Sequence, residues 1–521
     1  MQAPRRKNLE PIGGSYAPQG IAPLPFCRCL HPARPWAGLR VGLGLGVLSL
    51  LLATAQSAVG ICPVQLGPHL QRIAQQLPAR SRWGMVVRSL ANNQTLFAQE
   101  GDRFFIPASN GKLFTTAAAL THLGATYRIR TSVYRVAAAG TVLHVVGRGD
   151  PSLTDAQLQD LAKQLRDRGV SQIDRLIVDD TYFRGDPINP NWEWEDLQAG
   201  YGAPVNSLIV NRNELLLTLI PQALGQPLQV QWQDPTAAAQ WRVVNQSRTV
   251  EATAAEFTQA GGNPIHRVVT IQGQLRVGAA PAQEAIAVVN PTENFAQRFR
   301  HALAAQDLPV LRLEFATTPS QPSEADEVAA VASPPLVALL TAANQDSENI
   351  YAEALLRTLG AVTSPQATEM ATETDTTTLT AGLTAVQQIL SRLGVDPRSY
   401  ALTDGAGLAR KNLASPEALV QTLVAIAHTP QATTFRNTLA VAGRSGTLQN
   451  RFRGTPLEGK LWGKTGAISG IAALSGYLNP PNHPPLAFSL LVNHFDQPVR
   501  TIRPIIDEMV LQVGQLRPCP P

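Results

Sequence analysis

Apolar residues recur at Leu66, Leu70, Ile73 and Leu77, a spacing that predicts an amphipathic helix over 64–77. Downstream the period shortens. Runs at 83–90 and 95–98 flank the turn-like Ala91-Asn92-Asn93-Gln94 and predict a β-hairpin. After Pro107, Leu113, Ala117 and Leu120 return to helical spacing, so a helix is expected to start close to Ser109. From about 127 to 289 short β-rich runs dominate, at 127–136, 142–146, 173–178, 214–220, 228–232 and 266–277, and 155–168 is the strongly helical stretch among them. Helical periodicity resumes at 295–303, 336–359, 382–393 and 416–427. The Thr/Glu-rich segment 367–380 has little to bury and is expected to be an exposed loop. Strands at 470–478 and 486–493 precede a closing helix that carries Ile502, Ile505, Ile506, Met509, Val510 and Val513. No internal repeat is present.

Composition adds bounds. With 521 residues, 44% apolar and 16% charged, the chain is globular and long enough for two or three domains. Coiled coil, collagen and a disulfide-dense miniprotein are excluded. The net charge of +5 needs no anionic partner: residues 1–55 hold six bases and one acid, and the remainder holds 37 of each. Those bases precede an apolar run from Val41 that ends in Ala53-Thr54-Ala55, the pattern of a secretory signal over 1–55. A retained anchor over 39–61, about 20 residues long and just sufficient to span a bilayer, is the competing interpretation. Either way the expected location is the periplasm or cell envelope. Gly42-Leu43-Gly44-Leu45-Gly46 is not a dinucleotide loop, since no strand precedes it. Cys27 and Cys29 fall in the exported leader. Cys62 and Cys519 remain, and in an oxidising compartment they either pair or stay as two thiols. Ile61 before Cys62 is a poor lipidation context.

Three short motifs could carry chemistry. Ser109-Asn110-Gly111-Lys112 places a hydroxyl and an amine one turn apart on one helix face, beside unpaired backbone N–H groups. That is a nucleophile, a base and half of an oxyanion hole in four residues, provided burial or a nearby cation keeps the lysine neutral. Ser347-Glu348-Asn349 supplies a hydroxyl and an amide; alone it reads as a helix N-cap. Lys464-Thr465-Gly466, placed just before an apolar strand, offers a charge and a donor to a carboxylate, and a glycine that admits a ligand to the backbone; alone it reads as a turn. With six lysines and 23 serines in the chain, chance yields ~0.3 Ser-x-x-Lys matches, and Lys-Thr-Gly is about tenfold rarer. Both occur, in order, with Ser-x-Asn between them.

On these motifs the chain resembles the class C low-molecular-mass penicillin-binding proteins, D-alanyl-D-alanine carboxypeptidases/endopeptidases. The spacing of 238 from Ser109 to Ser347 resembles that family's insertion between the first two motifs. Further similar stretches are Gly149-Asp150-Pro151-Ser152-Leu153, Asp179-Asp180, Tyr201-Gly202-Ala203-Pro204-Val205, Asn211-Arg212-Asn213, Asp404-Gly405-Ala406-Gly407-Leu408 with Arg410 and Asn412, and Gly446-Thr447-Leu448. Ala467 stands where relatives often carry serine, and Glu348 where aspartate is common. The resemblance implies an α+β fold, with an antiparallel sheet between helical layers. The catalytic domain would comprise 62–126 and 290–521, and a β-rich insertion 127–289. It implies that Ser109 attacks the D-Ala–D-Ala carbonyl, Lys112 accepts its proton, Ser347 relays a proton to the leaving amine and Asn349 holds the substrate amide. Lys464 would fix the second motif, Thr465 bind the terminal carboxylate, and Gly466 and Ala467 line the substrate strand, with the Ala467 N–H in the oxyanion hole. The implied partners are peptidoglycan stem peptides and, as covalent inhibitors, β-lactams. Membrane association would come only from a retained anchor or a peripheral contact.

No Gly-x-Ser-x-Gly elbow, His-Glu-x-x-His motif or nucleic-acid module occurs, and no cofactor or metal is expected. Two rivals share the motifs: a β-lactam or ester hydrolase of the same fold, and a non-turnover β-lactam sensor, which would be expected to continue into a signalling region.

Overall fold

The computed structural model describes residues 60–319, 323–364 and 377–519. The expected secretory segment, the expected anchor up to residue 59, Cys27, Cys29 and positions 367–376 of the expected loop lie outside them. Residues 378–380 of that expected loop open the helix Thr378–Arg392 instead, capped by the Thr377 hydroxyl.

Six antiparallel strands form the central sheet, in the spatial order Ala440–Val441, Leu461–Ile468, Ile471–Leu478, Leu486–Asn493, Arg82–Ser89 and Thr95–Gln99. Both Ile471–Leu478 and Leu486–Asn493 are buried at every position. Their near-continuous apolar character follows from helices on both faces. Phe488, Leu490 and Val492 meet the Pro63–Ala74 and Val499–Gly514 helices, whereas Ala487 and Leu491 meet Lys112–Leu123 and Pro416–Ala427. This is the α+β architecture expected, a sheet between helical layers. Its halves come from opposite ends of the chain: Val86 pairs with Ser489. Cys62 and Cys519 form a disulfide, next to a parallel bridge between Ile61 and Leu516.

The strand Leu461–Ile468 corrects the sequence reading, which placed Lys464-Thr465-Gly466 before a strand rather than within one. Its two glycines and lysine hide the alternation. Cross-strand pairing to Ile471–Leu478 through a two-residue Ser469-Gly470 turn holds it in place.

Strands beyond residue 289 also pair with strands of the β-rich block. A five-stranded sheet takes Arg130–Val136, Val142–Val146 and Arg175–Asp179 together with Leu313–Phe315 and Glu327–Ala332. The helix Pro291–Ala304 packs Phe295, Phe299 and Leu303 against Leu158, Leu161 and Leu165 of the helix Asp155–Asp167. The segment 290–332 thus packs against elements of the block. Periodicity reveals that a helix has an apolar face but not which sheet that face meets. Two smaller sheets, built on Glu214–Ile220 and on Val268–Arg276, share a second core around Leu217, Leu219, Trp241 and Ile271. Among the described residues no helix is long and apolar enough to cross a membrane.

Candidate active site

Pro107 leads into a 3₁₀ turn, Ala108–Gly111, that continues directly into the helix Lys112–Leu123. The tight turn has a purpose. In 3₁₀ geometry side chains three residues apart eclipse, and Lys112 Nζ lies 3.0 Å from Ser109 Oγ. Ala108 sits at φ +47°, a left-handed conformation that costs a side-chain-bearing residue about 1–2 kcal/mol. Neighbouring backbone enforces it. A Cβ added to Gly407 would lie 2.0 Å from the Ala108 carbonyl oxygen, and one added to Gly466 would lie 2.8 Å from that of Pro107. Below the turn, buried Asn110 donates to Ser475 Oγ at 2.6 Å, and Ser475 Oγ donates to Ser489 Oγ at 2.8 Å. The turn that carries Ser109 is thus tied to the middle of the central sheet.

Lys112 is fully buried. Its Nζ also contacts Asn349 Oδ1 at 2.6 Å and the Ala406 carbonyl at 2.7 Å. Burial pushes the amine down to about 7, against the opposing pull of Asp404, Glu348 and Glu353. A neutral amine has two N–H donors, which the Asn349 and Ala406 oxygens can accept, leaving its lone pair for the Ser109 hydroxyl. That is the geometry of a general base.

The helical run expected over 336–359 is broken where the second motif lies. The helix Leu336–Thr341 ends in the π turn Ala342–Asp346, and a new helix spans Asn349–Thr363. Between them Ser347 takes φ +66°. Its hydroxyl does not cap the helix; Glu348 occupies the N-cap position, and Ser347 Oγ accepts from Lys464 Nζ at 2.8 Å. Asn349 Nδ2 donates to the Tyr201 carbonyl at 2.9 Å, and Arg212 donates to Glu348 at 2.8 Å. Two residues of the inserted block therefore grip this motif.

Lys464 is likewise fully buried and donates its other bond to the Thr465 carbonyl at 3.0 Å. Burial, then the neighbouring Lys112 charge, holds its amine well below the usual lysine range, with Asp346 opposing. Thr465 Oγ1 lies 2.9 Å from Thr447 Oγ1. Gly466 backs onto the nucleophile turn, and Ala467 is exposed at the mouth of a cavity of about 220 Å³ beside Thr447 and Thr465. The structure brings these residues together as two hydrogen-bonded groups, Ser109–Lys112–Asn349 and Ser347–Lys464, whose lysines are close enough for their charges to interact, with Thr465, Gly466 and Ala467 following Lys464 along the same strand.

Sequence reasoning gave no role to the residues that hold Lys112 from behind. Buried Asp404 accepts from the backbone of Gly407, Leu408 and Ala409, from Asn412 Nδ2 and from Trp192 Nε1 of the inserted block, all within 2.9 Å. Its loop thereby aims the Ala406 carbonyl at Lys112. Glu353 accepts from Gly405 N at 2.7 Å, and burial, followed by the Asp404 charge, pushes its carboxyl up against the pull of Arg357. The usable signal was an aspartate ahead of Gly-Ala-Gly, the pattern of a side chain collecting the amides that follow it.

A family model described as the D-Ala-D-Ala carboxypeptidase 3 (S13) family matches residues 66–513. The chain belongs to this family. A D-alanyl-D-alanine carboxypeptidase of Actinomadura sp. (strain R39) is 32% identical over 434 residues, covering 80% of this chain and 78% of the relative. The D-alanyl-D-alanine carboxypeptidase DacB of Haemophilus influenzae is 25% identical over 442 residues, 82% of this chain and 88% of that one. The crystal structure of penicillin binding protein 4 (dacB) from Haemophilus influenzae superposes with a TM-score of 0.72 at 23% identity, covering 85% of this chain and 98% of that one, and so shares the fold.

Proposed function

We propose that this S13-family chain is a serine D-Ala-D-Ala carboxypeptidase that trims peptidoglycan stem peptides in the cell envelope. The observation that carries the reading is the buried Lys112 amine, held near pKa 7 and 3.0 Å from the Ser109 hydroxyl. At neutral pH an appreciable fraction of such a lysine is free base, which is what activating a serine requires.

The roles follow from the contacts. Ser109 Oγ attacks the penultimate D-Ala carbonyl while its proton passes to Lys112. Backbone N–H groups of Ser109 and Ala467 receive the developing oxyanion. Asn349, already bonded to Lys112, orients the substrate amide. Ser347 passes a proton to the leaving amine of the terminal D-Ala, and the Lys464 ammonium or amine at 2.8 Å keeps its hydroxyl in place. Thr465 receives the terminal carboxylate, and Gly466 lets the peptide lie against the strand. Water then hydrolyses the acyl-enzyme. A β-lactam presents the same carbonyl and carboxylate and leaves Ser109 acylated. Export by the 1–55 signal, with or without a retained anchor, places this chemistry at the wall. The inserted block forms one wall of the cleft, a role supported by the Asn349–Tyr201 and Glu348–Arg212 contacts.

The test is purified protein given a stem pentapeptide and a labelled penicillin, beside Ser109→Ala. Wild type should release D-alanine and take up label, and the variant should do neither. No D-alanine from wild type, or label on the variant, refutes the reading.

A further inference from the structure

A second cavity, of about 760 Å³, lies where the helices Asp155–Asp167 and Pro291–Ala304 face the strand Glu214–Ile220 and its neighbour Gln229–Trp232. That volume falls within the range of small-ligand sites, roughly 300–1,000 Å³. Its charges are largely spent on one another. Arg298 donates to Asp155 at 2.9 Å and to Asp234 at 2.8 Å, so it ties the helix pair to the turn after Trp232. Arg212 pairs with Glu214 at 3.1 Å and with Glu348 at 2.8 Å. Glu293 accepts from Asn290 Nδ2 at 3.2 Å. Burial pushes the Glu214 carboxyl up to about 7 against the pull of Arg212. Arg267 lies over the Trp241 ring, 5.6 Å from its centroid. A strongly charged ligand would have to break one of these pairs to bind.

What the lining still offers is neutral. Trp241 is buried in it and Trp232 half-buried. The side-chain amides of Gln233, Gln240 and Gln297 line it, are exposed and make no hydrogen bond among the described residues. Flat indole faces beside unpaired planar amides suit a sugar: its C–H face packs on an aromatic ring, and each hydroxyl is donor and acceptor at once, as an amide is. The cavity also adjoins the catalytic cleft. Arg212 and Tyr351 line it, and Arg212 holds Glu348 between Ser347 and Asn349.

We propose that this cavity is an exosite for a neutral glycan, binding the sugar backbone of the wall polymer while a stem peptide on that backbone enters the catalytic cleft. Trp232 supplies the stacking face, and Gln233, Gln240 and Gln297 supply hydrogen bonds to hydroxyl and acetamido groups. Glycan-borne peptides are then held at a raised local concentration, and free peptides are not. The glycan site stands on the lining of the cavity; its effect on turnover rests on the carboxypeptidase reading.

The probe is a peptide-free tetramer of β-1,4-linked N-acetylglucosamine, titrated into the full protein by calorimetry. Wild type should bind it at one site. Gln233→Ala combined with Gln297→Ala should weaken Kd about tenfold, the scale of two lost hydrogen bonds. Trp232→Ala should weaken it at least as much, whereas Trp232→Phe, which keeps a ring face, should stay within about threefold. A dissociation constant does not depend on how much of each variant folds, so instability cannot imitate these shifts. The turnover arm compares D-alanine release from glycan-borne and free pentapeptides, and the ratio of their kcat/KM values should fall in the double variant. No saturable binding by wild type overturns the proposal, as does an unchanged Kd or an unchanged ratio in the double variant. Displacement of the tetramer by inorganic phosphate or by the free pentapeptide overturns it too. Wild type that binds the tetramer yet releases no D-alanine from either substrate overturns instead the carboxypeptidase reading, and the glycan site stands.

Discussion

Gly407→Ala puts the support of the nucleophile turn to a quantitative test. Gly407 sits at φ +71°, and a Cβ there would stand 2.0 Å from the Ala108 oxygen, 2.7 Å from its carbonyl carbon and 3.2 Å from the Ser109 Cα. All three are backbone atoms, so no rotamer change relieves the clash. Restoring ordinary contact with the oxygen moves the turn by roughly 1 Å, a displacement that costs about 10²-fold in a positioned reaction, or about 2.7 kcal/mol at 1.36 per decade. The left-handed conformation adds about 1–2 kcal/mol against folding. Gly169→Ala is the control: φ is +80° but nothing lies within 4 Å, so it pays only the conformational cost. The assay is the rate of Ser109 acylation by a labelled penicillin, beside urea unfolding of both variants. Gly407→Ala should lose about two orders of magnitude in acylation, and Gly169→Ala should match wild type once corrected for folded fraction. Acylation by Gly407→Ala within threefold of wild type, or an equal loss in the control, would refute the idea that this contact holds the nucleophile.

Two further outcomes follow from the site and the frame. Because the Lys112 amine must be neutral to take a proton and its pKa is lowered to about 7 by burial, acylation should rise about tenfold per pH unit below 7 and level off above it; Lys112→Arg, which stays protonated, should abolish the reaction while conserving charge. Replacing Cys62 and Cys519 together with serine should lower stability in urea by about 2–4 kcal/mol without changing acylation per folded molecule, and reductant should produce the same loss in wild type and none in the variant.

Much of this was legible in the chain. Leu486–Asn493 was bounded to the residue, because a run with six apolar positions in eight, on both alternating faces, reads as a strand buried on both sides. The motifs named the chemistry because lysine is so scarce here. Local signals failed where distant ones decide. The strand Leu461–Ile468 is stabilised by its partner rather than by its own residues. Ser347 reads as a cap until Lys464 claims its hydroxyl. Trp192 and Arg212 reach the site from a block that pattern alone marked only as β-rich. Helix Pro291–Ala304 shows the same limit, since its apolar face carries no mark of the sheet it will meet.

The disulfide between Cys62 and Cys519 has a consequence for biogenesis. The bond spans 457 residues of sequence, so it can form only after almost the entire sheet has been made and where thiols can oxidise. The strands that complete the sheet, Ile471–Leu478 and Leu486–Asn493, lie just ahead of the second cysteine. A chain cut short before them could neither finish the sheet nor lock its ends. Closure of the bond is thus a covalent record that the strands between the two cysteines have been made, and an unclosed molecule carries free thiols instead.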